Sequence, residues 1–279
     1  MSAASWPSEG QAPARQRSEG RVRVTVEAAR GRTHLAELSE SGALRARLPR
    51  VDGVGLEAVL VNTAGGVACG DRFTIAAGAG AGARLTVSTP AAEKVYRSDG
   101  ATAHIAVRLS AAHGAHLHWM PQETILFDHA RLARRYEVDL APLSYFLSFE
   151  AVVFGRAARG EAMESGHLCD HWRVRRAGEL IFADALRLSG PVAALLSRPA
   201  VAAGKAALAT CLYVAPDAEA RLEEARGLLD GCASEAGASA WNGLLAVRWV
   251  AADIETLRRD AISFLMRFRG APLPRVWAS

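Results

Sequence analysis

Residues 61–71 read VNTAGGVACGD. Gly65 and Gly70 frame four residues, the spacing of a phosphate-cradling loop. The chemistry fails on three counts. Asp71 stands where such a loop needs the lysine that meets the outer phosphates, and it would repel them. Arg72 follows where a magnesium-holding Ser or Thr is required. The residues after it, RFTI, read as strand, so no helix N-terminus is aimed at an anion. The stretch is expected instead to be a strand–turn–strand connection whose glycines supply positive φ and whose Asp71 bonds turn N–H groups.

A second constellation is GHLCDHW (166–172). On a strand, His167, Cys169 and His171 share one face, and imidazole and thiolate both suit nickel or zinc. Same-face residues are roughly 6.5–7 Å apart, so neighbours can share an ion but His167 and His171 together cannot. HGAHLHW (113–119) offers His116 and His118 in the same way. Neither run has zinc-site ligand spacing, and a plain surface face is the ordinary explanation. The cations of KVYRS (94–98) and LARR (132–135), chiefly Arg97, Arg134 and Arg135, fit either a partner interface or a solvated strand face.

These residues must be held by a chain of 279 residues, half of them hydrophobic and 22% charged, with a net charge of +4. That is the balance of a globular protein with a real core. The positive charge is almost all arginine, scattered and matched by acids, which does not support a nucleic-acid footprint. The four cysteines, Cys69, Cys169, Cys211 and Cys232, form no Cys-x-x-Cys pair, and a reducing cytoplasm is expected. Residues 1–20, rich in Ser, Pro, Gly and Gln, are expected to be a disordered tail rather than a signal peptide. No stretch of about 18 uncharged apolar residues would span a membrane.

From residue 21 to about 190 the dominant period is two, as in Val22/Val24/Val26, Ile105/Val107/Leu109 and Tyr136/Val138/Leu140. Such alternation, bounded by Gly, Pro, Asn or Asp, predicts half-buried strands. Residues 144–155, SYFLSFEAVVFG, are continuously apolar and predict a central strand covered on both faces. RAGE (176–179) predicts a hairpin turn, and AAGAGAGA (76–83) a flexible connection. Residues 216–232 predict a helix with Asp217 as N-cap and Gly231 at its end; 241–252 return to strand; 253–268 predict a second helix capped by Asp253. The expectation is a mainly β, multi-sheet fold with two C-terminal helices in one domain over 21–279. Its β body covers about 21–215 and its helical part about 216–279.

Five ordered blocks carry a resemblance: VNTAGGVACGDRF (61–73), TPAAEKVYRS (89–98), WMPQETILFDHARLARRYEVDL (119–140), FEAVVFGRAARGE (149–161) and LPRVW (273–277). Together they resemble the urease accessory protein UreD (UreH) family, from about residue 21 to the end. Cys69 departs from the family's usual glycine, and His118 from its usual acid. The resemblance implies a β-helix-like body and a non-enzymatic scaffold. It implies contact with urease apoprotein and a helical UreF-like partner and, through that partner, with a UreG-like GTPase that carries nickel. No stably bound cofactor is implied, only nickel in transit.

The acids within the matching blocks, Asp71, Glu123, Asp128, Glu150 and Glu161, are the candidates for a nickel path. Carboxylates hold a divalent cation with water retained and release it readily. Each also has an ordinary explanation as a turn ligand or an arginine partner, as Arg156 and Arg159 suggest for Glu161. The rival is a β-helix-like, carbohydrate-active enzyme using Glu123 and Glu150 as a carboxylate pair. It would call for secretion and an aromatic-lined groove, and aromatics make up only 6% of this chain.

Overall fold

The structure, a computed structural model, describes residues 17–51 and 53–277. Residues 1–16 of the expected tail lie outside that range, while Glu19 and Gly20 already belong to the first strand. Strands β1 (Glu19–Ala29) and β2 (Arg32–Gly42) form one antiparallel hairpin, and β3 (Leu44–Arg47) pairs with β4 (Leu56–Asn62) in another. There follow β5 (Arg72–Ala79), β6 (Arg84–Ser88), the short β7 (Glu93–Val95), β8 (Ala103–Ala111), β9 (His116–Met120) and β10 (Thr124–Leu126). Next come β11 (Arg131–Leu140), β12 (Tyr145–Arg156), β13 (Glu161–Ala162), β14 (Gly166–Arg176) and β15 (Glu179–Gly190). Helix α1 (Val192–Leu196), β16 (Ala207–Val214), α2 (Leu222–Leu229), β17 (Glu235–Trp241), β18 (Leu244–Ala251) and α3 (Ile254–Arg269) complete the chain.

The strands form two sheets, ordered β15-β14-β11-β8-β5-β1-β2 and β17-β18-β16-β12-β9-β6-β4-β3. In the middle of each, neighbours run parallel: β5, β8, β11 and β14 in the first, β4, β6, β9 and β12 in the second. The chain therefore crosses from sheet to sheet as it advances, a β-helix-like coil whose inward-facing alternate residues make the core. Val107, Leu109, Leu132 and Val138 meet Leu85, Leu117 and Phe146 between the sheets. A second core forms on the outer face of the second sheet, where Leu147, Phe149 and Trp249 pack with Leu257, Phe264 and Phe268 of α3. This places β12 between two cores, and every residue from Phe146 to Gly155 is buried.

Several local expectations are corrected. The 76–83 tract is not a loose connection: Ala76–Ala79 finish β5, paired on both sides with β1 and β8. Small residues are needed there, because a Cβ on Gly78 would lie 3.0 Å from Ser110 Oγ. The first C-terminal helix is only Leu222–Leu229 with Arg221 at its N-cap, since Asp217 is engaged by the Tyr213 hydroxyl at 2.8 Å. The strand expected over 241–252 starts only at Leu244 as β18, after an Asn242–Gly243 turn with both residues at positive φ, and the residues before that turn form its partner β17, so that both extend the second sheet. The hairpin at Arg176–Glu179 and the Asp253 cap, which accepts from Thr256 N at 2.7 Å, stand as the sequence implies.

Candidate functional site

The turn after β4 is built as its glycines require. Gly65, Gly66 and Gly70 have φ of 77°, 147° and 81°. A Cβ on Gly66 would collide with the Tyr96 ring at 2.5 Å, so the turn can dock against β7 only with glycine there. Tyr96 OH donates to Gly65 O at 2.7 Å, joining the 61–73 and 89–98 blocks. Asn62 Nδ2 donates to Gly66 O at 2.9 Å and lies within 3.4 Å of both Glu93 carboxylate oxygens. Asp71, 2% exposed, accepts from Ser18 N at 2.8 Å and Ala68 N at 2.7 Å. Cys69 donates to Asp99 at 2.8 Å beneath the Arg17 guanidinium.

Deeper between the sheets lies a charged cluster. Arg134 on β11 is 6% exposed. Its Nη2 and Nε meet the Asp170 carboxylate at 2.5 and 3.3 Å. Its Nη1 reaches Thr124 Oγ1 at 2.9 Å and lies 3.2 Å from Glu150 Oε2. The other Glu150 oxygen accepts from Trp119 Nε1 at 2.6 Å and Tyr136 OH at 2.5 Å. Tyr136 in turn stacks on Trp172, ring centroids 3.9 Å apart. A cavity of about 40 Å³, room for ordered water, is lined by Ser148, Glu150, Asp170 and Thr210.

The electrostatics link this cluster to the turn. Burial pushes the Glu93 carboxyl up to about 7 against its Asn62 bonds and the charge of Arg134, and the like charge of Asp71 adds to the rise. Burial raises Glu150 as well, with Arg134 opposing. Burial also works against the Arg134 charge, yet Asp170, Tyr136 and Glu150 outweigh it and hold the guanidinium protonated. Glu150 and Asp170 thus share the Arg134 guanidinium, and the half-buried Glu93 feels both that charge and the charge of Asp71. The arrangement can hold and exchange protons, and it attracts cations more than anions.

Of the five acids expected together, only Glu150 belongs to the Arg134 cluster, and Asp71 is linked to it only through its charge acting on Glu93. Glu123 turns the other way, to Arg258 on α3 at 3.2 Å. Asp128 and Glu161 form a separate outer group. Glu161 pairs with Arg156 and accepts from Asp128 N at 3.1 Å, and Asp128 accepts from Ser165 N at 3.1 Å. A cavity of about 410 Å³ opens there, with Arg97 on its wall. Arg135 is exposed and pairs with Glu137, whereas Arg134, expected at a partner surface, is buried between the sheets because two inward acids hold it. Cys169 Sγ approaches His171 Nε2 at 3.4 Å, but Arg187 Nε donates to that nitrogen at 3.0 Å and His167 turns to Ser189. Among the described residues no three His, Cys, Asp or Glu side chains converge on one ion. The carboxylate pair of the rival enzyme is also corrected: Glu150 points between the sheets and Glu123 towards α3, so they cannot flank one bond.

Sequence reasoning missed Glu93 and Asp170. Glu93 sits beside Lys94 and reads as one of a solvated pair. Asp170 was hidden between two histidines, yet period two was sufficient to find it: Leu168, Asp170 and Val174 are the buried residues of β14.

The sequence profile described as "UreD urease accessory protein" matches residues 18–278. A urease accessory protein UreD of Xanthobacter autotrophicus is 69% identical over 100% of this chain and 99% of its own length. The UreD of Azorhizobium caulinodans is 65% identical over 96% and 98%, and that of a Methylobacterium species 55% over 95% and 96%. The match spans almost the whole chain and takes in all five blocks, from the turn that holds Asp71 to Trp277: the chain belongs to the UreD family of urease accessory proteins.

Proposed function

We propose that this protein is a non-enzymatic scaffold for urease maturation in the cytoplasm. It binds urease apoprotein and a UreF-like helical partner, and through that partner a UreG-like GTPase. It assists nickel delivery and active-site assembly, with nickel as cargo rather than resident cofactor. The observation that carries the reading is the acid set Glu150 and Asp170 on Arg134, with Glu93 and Asp71 within electrostatic reach, in a chain whose relatives bear the name urease accessory protein. Oxygen ligands without a closed cage suit a cation that must leave again. Arg97 and Arg135, the exposed members of the arginine set, are the candidate partner contacts, and Asp128 and Glu161 line the outer cavity beside Arg97.

The test is Glu93→Gln, which keeps the shape and the contact with Asn62 while removing the titrating proton. Co-expressed with urease and its other accessory proteins, the variant is expected to co-purify with urease apoprotein at parental yield. The urease produced is expected to hold several-fold less nickel per subunit, measured by atomic absorption. Parental nickel content would exclude Glu93 from the path. Normal urease activity after deletion of the whole chain would overturn the scaffold reading itself.

A further inference from the structure

A site of the opposite charge lies on the other side of the second sheet. Helices α2 and α3 cover β16, β17 and β18. The outer face of β4, β6 and β9 is roofed instead by the segment that follows α3. In register across these strands, Glu57 stands beside Thr86 and Thr86 beside His118, while Arg84 stands beside His116. Arg269 and Arg275 come down from the roof, and together they enclose a cavity of about 430 Å³.

Its charged groups are mostly donors: three guanidinium groups against one carboxyl. Arg269 Nη1 donates to Pro272 O at 3.0 Å and Nη2 to His118 Nδ1 at 3.2 Å, while its buried Nε has no hydrogen-bond partner among the described residues. Accepting on Nδ1 leaves His118 with its proton on Nε2, another donor. Burial, and then the Arg269 charge, pushes the His118 imidazole down to about 3, so it is neutral and adds no counter-charge. His116 lies flat on the Tyr145 ring at 4.3 Å. Against three guanidinium groups the lining sets one carboxyl, Glu57, itself pushed up by burial. A cation is repelled here. What the pocket lacks is negative charge and acceptors, and a buried guanidinium nitrogen without an acceptor is costly.

We infer that this pocket binds a small oxyanion, a phosphate or a carboxylate, held by Arg84, Arg269 and Arg275. Guanidinium groups match both anions in fork geometry. The proposal is independent of the nickel path, which lies between the sheets.

The full-length protein is titrated with inorganic phosphate, followed by phosphorus NMR line broadening and by calorimetry, and the phosphate complex is then challenged with acetate. Saturable binding is expected at one site. Arg84→Gln and Arg275→Gln, both at exposed positions and so compatible with folding, should each weaken it by about tenfold, on the order of one lost charge-assisted contact. Arg226→Gln on α2, whose side chain pairs with Glu223 at 2.8 Å, should leave it unchanged. Displacement of phosphate by acetate supports the site and makes carboxylates its class; retention of phosphate supports it and makes phosphates its class. Absence of saturable binding, or undiminished binding by the Arg84→Gln/Arg275→Gln double variant, overturns the proposal.

Discussion

Asp71 and Glu93 show how two carboxylates a short way apart take different roles. Both Asp71 oxygens accept turn or strand N–H groups, so this side chain is part of the scaffold of its turn whatever else it does. Among the described residues the Glu93 carboxylate is met by the Asn62 amide, and burial lifts its pKa to about 7. The sign of its effect on stability follows from the direction of the shift. A carboxyl whose folded pKa lies above its ordinary 4.5 binds its proton more tightly in the folded state. The stability this gives is fully present below about pH 4.5 and is lost as pH rises through about 7, in total at most about 3 kcal/mol. The Glu93→Gln variant lacks this loss. The gap between urea midpoints at about pH 5 and about pH 8 should therefore be narrower for the variant than for the parent. Equal pH dependence in the two proteins would show that Glu93 titrates as an ordinary carboxyl.

Where a sequence pattern has one dominant cause, the element matches it. Helix α3 shows an apolar face, an Asp at its start and Gly270 in the left-handed conformation at its end, and it forms within one residue of the expected span. Its cap is local and separable from packing: Asp253→Ala should cost about 1 kcal/mol in thermal or urea unfolding without moving the rest of the molecule. Expectation failed where neighbours decided. The Ala/Gly run of β5 carries no strand propensity of its own, but two flanking parallel strands supply its hydrogen bonds and demand small side chains. Asp217 had the right identity for a cap, and Tyr213 took it.

At the scale of the molecule, the terminal LPRVW block acts as a clasp. Trp277 Nε1 donates to Met120 O at 3.0 Å and its ring packs on Phe149 at 5.3 Å. Gln122 Nε2 reaches Val276 O at 2.7 Å, and Arg258 Nη2 reaches Trp277 O at 3.1 Å. Val276 and Trp277 thus tie α3 to the end of β9 and the middle of β12, and three of the five blocks meet there. Trp277→Ala should cost about 3–5 kcal/mol, read as a lowered unfolding midpoint with early proteolysis after α3. An unchanged midpoint would mean that the clasp is not part of the cooperative fold.

Strand periodicity, the capped α3, the glycine turn at 61–71 and membership of the UreD family were all determined by the sequence alone, because each rests on local pattern or on ordered blocks that survive without coordinates. Which acids share an interior was decided only by the tertiary structure. Glu123, in the loop before β10, turns to α3 while Glu150 points between the sheets, whereas Asp71, Glu93 and Asp170 come from separate turns of the coil. A carboxylate's partners are fixed by strand register and by which face the pleat presents, and both are settled when the two sheets pack, not by spacing along the chain.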